Sequence, residues 1–134
     1  MLARLGITDF IGVAFAGLGE KQSRIIIDHV REMGGNPQAT IVGGELSTSP
    51  SLAALTNGTI GHSLDYDDMA ISLIAHPSVF LAPAIFAVGE KSGASGKDIL
   101  TAYVIGYEVA CQIGKPLIQS HYTQGWHSTA TFGT

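Results

Sequence analysis

The chain has 134 residues, a formal net charge of −4 with seven Lys+Arg against eleven Asp+Glu, and 46% hydrophobic residues with seventeen glycines. That length suits one domain with a real core, and the composition is that of a packed globular protein rather than a disordered one. The charge argues against nucleic acid as a partner, no run of like charge suggests a membrane surface, and the lone Cys111 excludes an internal disulfide, as suits a reducing compartment.

Two apolar stretches invite other readings. Residues 7–18 end in Ala14-Phe15-Ala16-Gly17, which has the look of a signal-cleavage site, but Asp9 interrupts the stretch and only Arg4 marks its basic end. Residues 71–88 carry His76, Pro77 and Pro83 and are too interrupted for a spanning helix of about 20 apolar residues. The reading is a soluble, cytoplasmic protein without a membrane partner.

Taken in order, Thr8 or Asp9 is placed to cap a first helix carrying Phe10, Ile11, Val13, Ala14 and Leu18. Residues 21–33 read as an amphipathic helix with Ile26, Val30 and Met33 on one face, stopped by Gly34-Gly35-Asn36-Pro37. Residues 39–42 are extended but too few for a sheet of their own. Ser49 and Pro50 open a third helix, expected to run past Gly58 and Gly61 to Leu64. Those glycines each disfavour a helix interior by about 1 kcal/mol relative to alanine, and close helix packing accounts for them better than a hinge. Pro77 opens another helix, in which Pro83 predicts a kink or a short first turn. Ser95-Gly96-Lys97-Asp98 has capping-box spacing and starts a helix ending near Gly114-Lys115-Pro116. Glu108 on that helix is expected to be half-buried. Residues 117–122 form a last short helical piece. With five or six helices, short turns and no persistent heptad, the fold class is all-α, a helical bundle.

The polar residues concentrate in one place. Gly61-His62-Ser63-Leu64-Asp65-Tyr66-Asp67-Asp68 and Ala75-His76-Pro77-Ser78 put two imidazoles and three carboxylates within fifteen positions of a chain that is 13% charged. Were the segment helical, His62, Asp65 and Asp68 would form a stripe on one face. A third imidazole follows in Gly125-Trp126-His127-Ser128. Imidazole with carboxylate suits zinc, iron or manganese, though the spacing matches no tight helical metal motif. The carboxylates resemble a diphosphate–magnesium motif only without its basic clamp and second acidic cluster. Metal-free acid–base work is the third reading, because histidine titrates near neutrality. A purely structural role, with Asp capping helices and His filling turns, stands level with it on the motifs alone.

Residues 57–68, His76-Pro77-Ser78, Gly106-Tyr107-Glu108-Val109 and Gly125-Trp126-His127 with Thr131-Phe132-Gly133 together resemble the MmgE/PrpD family. The departures are Trp126 for a usual phenylalanine, Ser128 for a usual proline, and a 69–75 loop without Trp-His-Pro-type residues. The resemblance implies a large helical domain with a smaller lid, a homodimer, and a lyase or epimerase acting on a small polycarboxylate without cofactor or metal. Family reactions include 2-methylcitrate dehydration, in propionate metabolism, cis-aconitate decarboxylation and iminodisuccinate epimerisation. It maps Asp65, His76 and His127 to catalytic positions, with His62, Asp68 and Ser78 beside them as supporting or substrate-binding groups. It also makes residues 1–134 a partial helical domain, cut at both ends, without lid or the family's active-site lysines. On that basis a 2-methylcitrate dehydratase-like parent is expected, and the isolated chain is expected to be marginally stable, associating and inactive, or a non-catalytic helical module.

Overall fold

A computed structural model of the chain describes residues 2–132; Gly133 of the last motif lies outside them. Among these residues the elements are α1 (Leu2–Gly17), α2 (Lys21–Met33), β1 (Ala39–Thr40), β2 (Ser47–Thr48), α3 (Pro50–Gly61), α4 (Pro77–Ser92), α5 (Gly96–Gly114), α6 (Ile118–Thr123) and α7 (Ser128–Phe132). The mostly helical architecture is the one expected. No single helix among the described residues is long and apolar enough to cross a membrane.

α3 and α4 form the central pair; α1 and α2 pack on α3, α5 packs on α4, and α1 also meets α4 and α5. The main core draws Phe10 and Ala14 from α1, Val30 from α2, Ile60 from α3, and Val79 and Ala82 from α4, with Ile41 from the β1–β2 loop. In α1 the buried positions 10, 13, 14 and 17 follow the spacing of one helical face. A second cluster joins Leu73, Ala70 and Ala75 of the loop before α4 to Ala110 of α5.

Small residues allow the close approach of α3 to its neighbours, as the glycines at 58 and 61 suggested. A Cβ on Gly61 would lie 2.5 Å from Phe10 Cε2, and one on Gly58 would lie 3.2 Å from the Val79 carbonyl oxygen. That carbonyl is the one that Pro83, four residues on and lacking an N–H, leaves without its helical donor. The proline therefore sits inside an α4 assigned unbroken from Pro77 to Ser92, and glycine on the facing helix makes room for the carbonyl it frees.

Several local expectations give way. α1 begins at Leu2, so Thr8 and Asp9 lie within it; Leu2, Ala3, Arg4 and Leu5 are good helix formers and nothing there stops the helix. Residues 39–40 do pair, antiparallel with 47–48, and the ribbon is anchored from outside: the Thr40 N–H and hydroxyl donate to the two oxygens of Glu90 on α4 at 2.7 and 2.5 Å. Met33 is 62% exposed, off the α2 face that Val30 buries. Glu108 is exposed and accepts from Gln112 one turn on. The capping box of α5 forms as read, with Ser95 and Asp98 bonding each other's backbone N–H.

Candidate active site

The site is built from the end of α3 and the turn that follows. α3 stops at Gly61 rather than running to Leu64. The His62 N–H still reaches the Gly58 carbonyl at 3.0 Å, but the Ser63 N–H shifts to Ile60 at 3.2 Å and the Ser63 hydroxyl donates to that same carbonyl at 2.8 Å. A side chain that takes up a terminal carbonyl in this way competes with continued helix. Asp65 then adopts φ 53°, a left-handed conformation that aspartate tolerates better than most residues. The expected helical stripe of His62, Asp65 and Asp68 therefore does not exist.

The reversal turns Asp67 inward instead. Its side chain is fully buried, and both carboxylate oxygens lie 3.0 Å from His62 Nδ1. His76, the residue before α4, approaches the same group: its Nδ1 is 3.2 Å from the Asp67 carbonyl oxygen and 3.4 Å from Asp67 Oδ2. On its other edge, His76 Nε2 is 3.6 Å from Asp65 Oδ1. Asp65, largely exposed, thus meets the cluster from the solvent side.

Asp68 points elsewhere and does a different job. Its Oδ1 accepts from the Ser78 N–H at 3.0 Å. Pro77 is the first residue of α4 and His76 supplies no side-chain cap, so Asp68 satisfies the first free N–H of that helix from a distance. Ser78 is fully buried and its hydroxyl pairs with the Tyr103 hydroxyl of α5. Among the described residues, the side-chain hydrogen bonds of both go to each other and to α5, not to the histidines.

His127 arrives on the α6–α7 connection. Its ring centroid stands 6.2 Å from that of His62 and 6.4 Å from that of His76, and His62 and His76 are 4.8 Å apart. Thr129 Oγ1 accepts from the His76 N–H at 3.1 Å, which fixes the start of α7 against the start of α4. Ser128 opens α7, a first-turn position that also suits proline; its buried hydroxyl has no hydrogen-bond partner among the described residues. Just before His127, Trp126 is 58% exposed and stacks on His121. The three imidazoles, expected from separate parts of the chain, are thus brought together with Asp65.

A cavity of about 640 Å³ opens at this point. His62 and His127 line it with Phe80, Val79, Leu55 and Gln22; its lining is mostly apolar and, among the described residues, includes no Lys or Arg. Such a wall gives shape and excludes water, while a few polar groups fix orientation. His76 is not among the lining residues.

The electrostatics follow from the geometry. The hydrogen bond that Asp67 accepts from His62 raises the His62 pKa above the ordinary imidazole value; burial opposes this, and the charges of Asp67 and Asp65 add to it. Burial raises Asp68 above the usual carboxylate range despite its bonds to Ser78. Burial, with the Asp68 charge nearby, pushes the Tyr107 phenol up to about 12. His62, Asp65, Asp67 and His76 each offer one ligand atom within 4.8 Å of the others, a donor set chemically acceptable to zinc, iron or manganese. The two imidazoles nevertheless spend Nδ1 on Asp67, as expected of a hydrogen-bonded cluster. The sequence reading missed Asp67 as a site residue. Its only signal was position, two residues beyond Asp65 in a run where extended backbone alternates sides, and the assumption of helix there hid it.

Comparison with known proteins is consistent across the chain. Residues 2–134 match the model of the MmgE/PrpD N-terminal domain. The chain is 32% identical over 108 residues to a cis-aconitate decarboxylase of Mus musculus, covering 77% of this chain and 22% of that protein. It is 31% identical over 103 residues to the cis-aconitate decarboxylase-like protein oryM of Aspergillus oryzae, covering 71% and 21%. It is 26% identical over 137 residues to a cis-aconitate decarboxylase of Aspergillus terreus, covering 98% and 28%. The chain spans about a fifth to somewhat over a quarter of the length of these relatives. With a helical fold, a histidine–aspartate cluster at one cavity and a family match over nearly every residue, the chain belongs to the MmgE/PrpD family.

Proposed function

We propose that the chain provides the proton-transfer side of a lyase site for a small polycarboxylate, working by metal-free acid–base chemistry. The observation that carries this is the meeting of His62, His76 and His127 with Asp65 and Asp67 beside one largely apolar cavity. Relatives named cis-aconitate decarboxylase favour decarboxylation as the reaction. There the bond from carbon to a carboxylate breaks, CO₂ leaves, and the electron pair stays on carbon until an imidazolium donates its proton. His127, on the cavity wall, is read as a proton-transfer group, with Asp65 orienting His76 beside the wall or touching substrate. General acid catalysis of this kind contributes about 10²–10⁴-fold.

Two imidazoles on one cavity also favour a second reading, 2-methylcitrate dehydration. That reaction needs a base for the α-proton and an acid for the departing hydroxyl. In either case the substrate's carboxylates need cations, and the cavity lining described here supplies none. The chain alone is therefore read as lacking turnover, with the clamp and a homodimeric partner surface supplied from beyond this cavity.

The test is a chimera in which this chain replaces the matching segment of the Aspergillus terreus enzyme. The chimera should release CO₂ from cis-aconitate, and His127→Gln should lower kcat about 10²-fold or more. A chimera that sediments like its parent yet acts on neither cis-aconitate nor 2-methylcitrate refutes the reading. Turnover by the chain alone refutes the missing clamp. Metal analysis without chelators should find no stoichiometric zinc, iron or manganese; a bound equivalent lost in His62→Gln would overturn the metal-free mechanism.

A further inference from the structure

We propose that Asp67 is a positioning residue that sets the tautomer of two histidines at once, holding His62 and His76 with the proton on Nδ1 so that His62 presents Nε2 as the working base. The catalytic consequence rests on the proton-transfer reading above; the tautomer assignment stands on geometry alone.

An ionised carboxylate and a carbonyl oxygen only accept hydrogen bonds. Among the described residues, His62 Nδ1 meets only the two Asp67 carboxylate oxygens, each at 3.0 Å, so Nδ1 carries a hydrogen. His76 Nδ1 meets the Asp67 carbonyl oxygen at 3.2 Å and Asp67 Oδ2 at 3.4 Å; both are acceptors, and the same conclusion holds whichever bond dominates. Asp67 in turn is fully buried and would be an unpaired interior charge without these donors. One residue thereby fixes two rings.

The assignment leaves both Nε2 atoms free to accept. His76 Nε2 faces Asp65 at 3.6 Å, so a proton gained there is held between two carboxylates. His62 lines the cavity, and its Nε2 has no hydrogen-bond partner among the described residues. His62 can therefore take up a proton without moving, because Asp67 already holds its other nitrogen. The raised pKa of His62 agrees with this. The charged or titratable groups facing it are Asp65 and Asp67 of its own turn, His76 before α4 and His127 before α7. His62, read from the sequence as a support, becomes the better-held acid–base group on the cavity wall.

Long-range ¹H–¹⁵N spectra of protein labelled with ¹⁵N-histidine test this on the chain as it stands. At a pH high enough for both rings to be neutral, His62 and His76 should each show a pyrrole-type Nδ1 and a pyridine-type Nε2. A proton on Nε2 in either ring, or averaged nitrogen shifts in both, overturns the proposal. In Asp67→Asn the carboxylate is gone, so at least one ring should lose its fixed tautomer and His62 should titrate at lower pH; unchanged tautomers and titration in a folded variant overturn it. Should that variant not fold, His76→Gln decides the sharing. Removing the His76 ring leaves the Asp67 carboxylate to His62 alone, so His62 should titrate at higher pH than in the wild type, and an unchanged or lower midpoint refutes the shared carboxylate. None of these readouts needs turnover. An inactive chimera with the predicted tautomers would sink the lyase reading alone, and wrong tautomers in an active chimera would sink this one.

Discussion

His62 carries a consequence for stability as a function of pH. Its pKa is raised in the folded state, chiefly by the bond to Asp67. The folded protein therefore holds that proton more tightly than the unfolded chain, whose imidazoles titrate near about 6.5. The stabilisation is fully present below that value and is lost as pH rises through the higher folded value. The gap in urea midpoint between wild type and His62→Gln should accordingly be larger at pH values below the unfolded imidazole value and shrink on the alkaline side; a gap that widens with pH would contradict the His62–Asp67 pairing. The histidines were legible in the sequence because few other residues of this chain can do proton chemistry at neutral pH. Which carboxylate serves them was not. Asp65, Asp67 and Asp68 are chemically alike, and their separate tasks follow from the left-handed turn at Asp65. No residue type dictates that turn.

Among the elements, the boundary of α3 decides the site, and Gly61 decides the packing of that boundary. A Cβ there would press on Phe10 Cε2 at 2.5 Å, and Phe10 is 1% exposed at the centre of the main core. Gly61→Ala gains about 1 kcal/mol in helix propensity at most, and overpacking a well-filled core costs about 1–3 kcal/mol. The net expectation is a loss of stability of up to about 2 kcal/mol, read from denaturant unfolding, together with a displaced His62. A variant as stable as wild type would mean that Phe10 has room to move. The elements themselves were readable where a cap, a proline or a glycine marks them, as at Pro50, Pro77 and Ser95. The start of α1 and the β1–β2 ribbon were not, because α1 needs no cap signal at Leu2 and the ribbon depends on Glu90, fifty residues from Thr40.

At the scale of the molecule, much apolar surface remains uncovered. Val104, Ile105, Val109 and Ile113 on α5 are each 48–58% exposed, and their spacing places them along one side of the helix. Exposed apolar stripes of this kind promote association, and the association expected from the sequence is tested there. Sedimentation of the purified chain should show species larger than a monomer, and Ile105→Arg with Val109→Arg should shift the distribution towards monomer while leaving the helical circular dichroism intact. A chain that stays monomeric at high concentration would overturn the association. The all-α class was legible because helical periodicity and short turns are local properties. The convergence of residues 62, 76 and 127 was legible only through the family resemblance, since no local pattern states that α7 packs against the start of α4.

Trp126 gives the molecule an optical reporter at this place. It is the only tryptophan in the chain, it is open to solvent and stacked on His121, and it is joined directly to His127. All indole fluorescence therefore originates one residue from the cavity wall. Iodide should quench it efficiently in the free protein, with no second emitter to dilute the signal. If the proposed function holds, a polycarboxylate that draws the α6–α7 connection inward should shift the emission to shorter wavelength and protect it from iodide, so that events at the cavity can be followed by light without labelling the protein.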